Sequence, residues 1–357
     1  MSSSYVPAQM KALRLTKYNE NYKLQRDVPV PKPGYGEVLV RVHASGFCHT
    51  DYQVYQGAYH TKLPISPSHE PAGVISGLGP NVSSDWRVGQ PVGVINFRNA
   101  CDTCNGCRWR KTTTGRLDAR YCDNKTMSGI TADGGFAEYM VTDANCLVHL
   151  PDGLSFEQAA PLMCAGATVW NALRQADLKE GDSVAIVGIG GLGVLGIQFA
   201  KAMGYRTVAI DNREIGLQLA AKATLKSDLV VGYNDPEATK KISEFTDGIG
   251  LTAVVVCTDN VPASNWSINL LQPRGTCVVL GLPDEGYRFD AFALVFREII
   301  IKGSLHAPRD AVEEMLQVVV KHQILSHLTT VRLEDAEALP EKVAAHDFEG
   351  RLVVLID

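Results

Sequence analysis

Four of the nine cysteines in this chain are spaced for a metal: Cys101, Cys104, Cys107 and Cys122 run C-x2-C-x2-C-x14-C. Four thiolates close a tetrahedral zinc shell and leave no position for a substrate, so the chemistry they offer is structural. The bland alternative is a knot of reduced, buried thiols. Their polar neighbours Asp102, Asn105 and Arg108 argue against it. A second set is dispersed: Cys48 in GFCHTD, His69 and Glu70 in SHEPAG, and Cys164 in PLMCAGAT. Taken singly these are unremarkable, because a lone cysteine is usually a small buried hydrophobe. Spacing alone does not join them.

A third feature is suited to a dinucleotide. The turn Gly188-Ile189-Gly190-Gly191-Leu192-Gly193 carries G-x-G-x-x-G between an apolar strand pattern, SVAIVG, and a helical one, VLGIQFAKAMG. The first glycine permits a tight turn, the second lets a pyrophosphate approach the backbone, and the third allows close packing of helix on strand. The helix N-terminus adds partial positive charge for the phosphates. The next strand pattern, TVAI, ends in Asp211, placed to accept hydrogen bonds from the adenine ribose and to repel the 2′-phosphate of NADP. Arg213, two residues on, could bind that phosphate. The carboxylate is the more direct determinant, so NAD(H) is the expected cofactor.

These residues need elements to position them. At 357 residues, two domains are expected. Before about residue 180, short β-like runs (EVLVRVHAS, AGVISGLG, PVGVI) alternate with Gly and Pro, which predicts an irregular, strand-rich domain. From Ser183 on, six apolar runs (SVAIV, TVAI, DLVV, TAVVVC, TCVVLG, EIIIKG) alternate with helical patterns. That alternation predicts an α/β fold with a doubly wound, six-stranded parallel Rossmann sheet. One of its helices is expected through SINLLQ. The last strand, RLVVLI, is expected to fold back onto the first domain. Net charge is −5 with no basic run, which leaves nucleic acid unsupported as a partner. No stretch reaches the roughly 20 apolar residues of a membrane span. MSSSYVPAQM has no apolar core of signal-peptide length, so a cytoplasmic protein is expected.

Along its whole length the chain resembles the zinc-containing medium-chain alcohol dehydrogenases, most of all the yeast-type branch. The segments that carry the resemblance are GFCHTDYQVYQG, SHEPAGVI, CDTCNGC, DGGFAEYM, AAPLMCAGATVWNAL, GIGGLGVLGIQFAKAMGYR, VVLGLP and GRLVVLID. The resemblance implies two zinc ions per subunit and NAD(H). Cys48, His69 and Cys164 match ligands of a catalytic zinc, and Glu70 a residue beside it that can serve as an alternative ligand. Asp51 matches the carboxylate that orients the ligand histidine, and Thr50 the hydroxyl that hydrogen-bonds the alcohol. His49 and Arg351 match contacts to the cofactor phosphates, and Leu280 and Leu282 match backbone beside the nicotinamide. Residues 1–160 with 304–357 would form a GroES-like catalytic domain and 161–303 the NAD-binding domain, in a homodimer or homotetramer.

Three departures from the family pattern qualify that reading. The loop before Cys122 is about twice the usual length and basic. Gln56 stands where the yeast-type branch has a relay histidine, and glutamine cannot titrate. Lys226 replaces a common glycine, so a different helix stop is expected. Tyr55, Asn96 and Phe97 match pocket positions that carry tryptophan in small-alcohol enzymes, which implies an alcohol or carbonyl substrate larger than ethanol. The weighed alternative is a reductase acting on an activated C=C or an iminium.

Overall fold

The computed structural model describes residues 6–356. The chain divides into two compact units. One takes the chain up to Cys164, then Pro308–Glu313 and everything from Leu328 on; the other takes Ala165–Ala307 and Glu314–His327.

In the second unit six strands lie in the order Leu229–Gly232, Arg206–Asp211, Ser183–Val187, Leu251–Val256, Leu271–Val279, Ile300–Gly303. Every pairing among them is parallel. All five residues of Ser183–Val187 are buried, as are Ala253–Val256. Such unbroken apolar strands belong to a sheet covered on both faces, which is the α/β architecture expected. The helix Gly193–Ala202 is buried from Gly193 through Ala200, so it sits in the interior and not at the surface. Strand order reverses beside Ser183–Val187, whose C-terminal end runs into the glycine turn. Ligands of open α/β sheets bind at that switch point.

Two helix ends differ from ordinary patterns. The helix expected through SINLLQ spans Val261–Ile268, and Leu271 already opens the next strand. Its start is set by Asn260, whose side chain accepts from Ala263 N, and by Pro262 in the first turn. The apolar pair Leu270–Leu271 is buried by joining the core beneath the sheet, not by extending the helix. The helix Glu214–Lys222 stops with Ala223 turning extended, and Lys226 has no left-handed backbone. A different stop was expected there.

The first unit is built on a seven-stranded sheet and a two-stranded one. Its long strand Glu37–Phe47 pairs antiparallel with Glu70–Leu78 on one side and with the closing strand Arg351–Leu355 on the other. The last strand therefore does fold back onto this unit. Among the described residues no helix is long and apolar enough to cross a membrane.

Candidate metal and dinucleotide sites

Cys101, Cys104, Cys107 and Cys122 present sulfur atoms that all lie within 4.8 Å of one another. Ligands of one tetrahedral zinc, each about 2.3 Å from it, lie about 3.8 Å apart, and sulfurs this close could hold one ion. The backbone is folded around the sulfurs. Cys122 Sγ accepts from Cys101 N and Asn124 N, Cys101 Sγ from Cys104 N, and Cys104 Sγ from Cys107 N and Asp123 N. Donors aimed at sulfur favour thiolate, the form that binds metal. Hydrogen bonds from Thr103 and Asn124 accordingly bring Cys101 down to about 5, while burial pushes Cys107 up to about 12. The four-sulfur set fits zinc. The long loop is ordered as the helix Asn105–Thr114, stopped by Gly115, and a short turn capped by Asp118. Asp118 pairs with buried Arg120 at 2.7 Å, and Arg120 lies over the Tyr121 ring.

The dispersed residues meet as well: Cys48, His69, Glu70 and Cys164 bring one ligand atom each within 4.8 Å of the others. All four belong to the first unit. Asp51 organises two of them. It is fully buried, and its Oδ2 accepts from Cys48 N at 2.9 Å, which starts the helix His49–Gln56. Its Oδ1 accepts from Ser68 N at 3.0 Å and lies 3.3 Å from His69 Nδ1. That last contact is close but falls outside hydrogen-bond geometry, since His69 Nδ1 has no satisfied partner. With Nδ1 facing Asp51, the ring's Nε2 is left to offer its lone pair to a metal. Two sulfurs, an imidazole and a carboxylate suit zinc, and three protein ligands with a further position leave room for chemistry.

Charge is concentrated here. Hydrogen bonding from Cys164 pulls Cys48 well below the ordinary thiol range, and the Cys164 thiol is pushed up in turn. Burial opposes a charged imidazole at His69, but Asp51 and Cys48 outweigh it and hold its pKa well above normal. Burial raises Glu70 to about 7 against the pull of Arg351. Glu70 and Arg351 are both buried and joined by two short hydrogen bonds. Arg351 keeps its proton, and its guanidinium favours the Glu70 carboxylate against the effect of burial.

Sequence reasoning did not single out Gly46 or Ser68. Gly46 faces Glu70 across one strand pair and Val353 across the other. A Cβ at Gly46 would fall 1.9 Å from Glu70 Oε2, so the bare backbone lets the Glu70 side chain cross the strand toward Arg351. Ser68, at φ 76°, donates to Gly46 O at 2.7 Å, and Ser68 O accepts from Gly135 N at 2.9 Å. The available signal was a glycine inside a strand pattern, which marks close approach.

Among the other expected residues, His49 is exposed and Thr50 half-buried at the head of their helix, and Gln56 ends it in an exposed position. Tyr55 stacks on Tyr52. Asn96 is buried and its Oδ1 accepts from Phe97 N and Ser128 N, fixing Phe97 at φ 74°. In the second unit, Gly188 to Gly193 link strand and helix, and a Cβ at Gly193 would lie 2.1 Å from Gly188 O. Ile189 N donates to Asp211 Oδ2 at 2.6 Å, and Arg213 forks onto the same carboxylate. Gly190, Gly191 and Leu192 complete the turn. Leu280 N bonds Val256 O at 2.9 Å, and Leu282, exposed, bonds Asp259 through its N–H. Arg351 is committed to Glu70 in the first unit, so a phosphate contact would have to share that guanidinium.

Comparison with known proteins places these sites in context. Residues 34–152 match the alcohol dehydrogenase GroES-like domain, and residues 191–321 match the zinc-binding dehydrogenase family. An alcohol dehydrogenase of Geobacillus stearothermophilus is 35% identical over 350 residues, covering 98% of this chain and 100% of that protein. Among solved structures, acetophenone reductase from Geotrichum candidum in complex with NAD superposes with TM-score 0.83 at 28% identity, covering 99% of this chain and 98% of that one. The alcohol dehydrogenase of Aeropyrum pernix does so with TM-score 0.82 at 29% identity, covering 97% and 99%.

Proposed function

From its membership of the zinc-binding dehydrogenase family, with alcohol dehydrogenases among its relatives, we propose that this chain interconverts an alcohol and its aldehyde or ketone with NAD(H). The observation that carries the proposal is the convergence of Cys48, His69 and Cys164, with Glu70 beside them, whose ligand atoms lie within 4.8 Å of one another, with Asp51 against Cys48 and His69. Zinc there would polarise the alcohol or carbonyl oxygen as a Lewis acid, and NAD(H) would carry the hydride.

The chain's own residues have separable tasks in this reading. Asp51 fixes Cys48 through its N–H and turns His69, so two ligands share one buried anchor. Thr50, half-buried beside Cys48, holds the substrate hydroxyl and passes its proton outward. Gln56 cannot receive that proton, so it leaves by water or through exposed His49. Arg351 pairs with Glu70 and favours its carboxylate form next to the ligands. In the second unit the turn Gly188–Gly193 receives the pyrophosphate, Asp211 the ribose, and the Leu280–Leu282 backbone the nicotinamide amide. A contact from His49 and Arg351 to the phosphates belongs to the same reading. The support for NAD(H) is the buried Asp211 carboxylate, together with a neighbour of this fold solved with NAD.

The proposal extends to a second, structural zinc on Cys101, Cys104, Cys107 and Cys122, and to a place in the yeast-type branch. It includes a catalytic domain of residues 1–160 and 304–357, a cytoplasmic location and a homodimer or homotetramer. The support for a substrate larger than ethanol is that Tyr55, Asn96 and Phe97 stand where small-alcohol enzymes carry tryptophan. The test is turnover of ethanol, benzyl alcohol and cinnamyl alcohol with NAD+, with product identification. Faster turnover of the aromatic alcohols to their aldehydes is expected. A strong preference for ethanol removes the size argument, and saturation of an enal at C=C removes the carbonyl chemistry.

A further inference from the structure

Asp211 is the residue on which a preference for NAD(H) would rest, and its capacity to accept is already filled by the chain itself. Its Oδ1 accepts from Asn212 N at 2.8 Å, Arg213 N at 2.9 Å and Arg213 Nε at 3.1 Å. Its Oδ2 accepts from Ile189 N at 2.6 Å and Arg213 Nη2 at 2.9 Å. A carboxylate offers about four lone-pair sites, and five donors occupy this one. The two hydroxyls of an adenine ribose therefore find no free acceptor until Arg213 swings away. Burial raises the pKa of Asp211, but hydrogen bonds from Arg213 and Ile189 outweigh it, so the group is a carboxylate neutralised by its own neighbour.

The Arg213 side chain is 54% exposed while that of Asp211 is 2% exposed. The guanidinium is thus the movable half of the pair, and it stands over the glycine turn: a Cβ on Gly190 would be 3.9 Å from Arg213 Nη2. A bare carboxylate at this point repels a 2′-phosphate. This one loses its ion-pair partner when Arg213 leaves but still accepts from three backbone donors, Ile189 N, Asn212 N and Arg213 N, which offset its charge. The released guanidinium is a planar fork suited to a phosphate.

We propose that Arg213 makes this site dual: it swings from Asp211 onto the 2′-phosphate of NADP(H), so the chain binds NADP(H) as well as NAD(H). With NAD(H) the same arginine is displaced without compensation. This inference rests on the dinucleotide reading above and deepens it.

The experiment is titration of the purified zinc-loaded protein with NADH and with NADPH, followed by nicotinamide fluorescence. The unmodified protein, Arg213→Ala, Arg213→Lys and Asp211→Asn are compared, each checked by circular dichroism. The unmodified protein is expected to bind both, with dissociation constants within about tenfold. Arg213→Ala should weaken NADPH by about tenfold or more and leave NADH unchanged or tighter. Arg213→Lys should retain part of the NADPH affinity, and Asp211→Asn should weaken NADH more than NADPH. Added salt should weaken NADPH binding in the unmodified protein more than in Arg213→Ala. Binding of NADH alone, or NADPH affinity indifferent to Arg213→Ala, overturns the dual site while leaving the dinucleotide reading intact. Binding of neither coenzyme removes that reading and the dual site with it.

Discussion

The two cysteine clusters use similar donors and are made in opposite ways. In the lobe, four sulfurs come from one stretch of 22 residues, Cys101 to Cys122, and local backbone N–H groups are folded onto them. The hydrogen bonds that lower Cys101 come from uncharged groups. In the other cluster the ligands come from separate segments, and their charge is managed by buried side chains: Asp51 beneath His69, and Arg351 against Glu70. The first arrangement is closed and self-sufficient. On the proposed function, the second would keep a spare position beside Cys48, His69 and Cys164, which is what a reacting site requires. On that proposal, local hydrogen bonding to sulfur goes with the structural site and long-range ion pairing with the reactive one.

The sharpest way to break the comparison is to remove one ligand from each cluster. His69→Ala should lower kcat by about 10³-fold or more, the loss of several kcal/mol of charge stabilisation, with little change in melting temperature. Cys104→Ala should do the reverse, lowering the melting temperature while folded protein keeps kcat within about threefold, as for a metal that contributes folding energy. Equal effects from both would erase the distinction. Asp51→Asn keeps size and removes charge, and should lower zinc affinity or activity by about 10–100-fold.

Smaller effects sharpen it. Gly46→Ala drives a methyl into Glu70 and should cost about 1–3 kcal/mol, read by urea unfolding. Gly115→Ala in the lobe meets no atom within 4 Å, so its cost of about 1–2 kcal/mol should come from the left-handed backbone (φ 71°) alone. Asp118 supports only the lobe. Burial raises its pKa, but hydrogen bonding and charge from Arg120 bring it below normal. A depressed folded pKa contributes stability above the unfolded value, about 3.9, and that stability is lost as pH falls through the folded pKa. Asp118→Asn should therefore be less stable by about 1–3 kcal/mol near neutrality. The gap should close below about pH 4, as followed by denaturant unfolding across that range. Smallest of all, Gln56→His should add a titration near pH 6.5 to the pH–rate profile, about the free histidine value. An unchanged profile would mean that the proton path does not pass that position.

Legibility in the sequence followed the range of the interaction. The six strands of the second unit were readable because burial on both faces leaves continuous apolar runs. The helix expected through SINLLQ ends earlier, because Asn260 and Pro262 set its start and Leu270 and Leu271 join the core and the next strand. The lobe cluster was readable from spacing, as its ligands are neighbours in sequence. The dispersed cluster was not, since Cys48, His69 and Cys164 lie far apart in sequence and only the family resemblance grouped them. Gly46 was invisible for the same reason: what a missing side chain makes room for depends on two strands, beginning at Glu70 and at Arg351, remote in sequence. The Asp211–Arg213 fork was seen as two residues with opposed implications, and its geometry makes them one unit.

The most direct test is zinc per subunit, by elemental analysis of protein purified without chelator, measured alongside alcohol turnover for the unmodified chain and for Cys48→Ala. The account predicts about two zinc ions in the unmodified protein, and about one, with activity abolished, in the variant. Retention of both metal and activity by Cys48→Ala would contradict it.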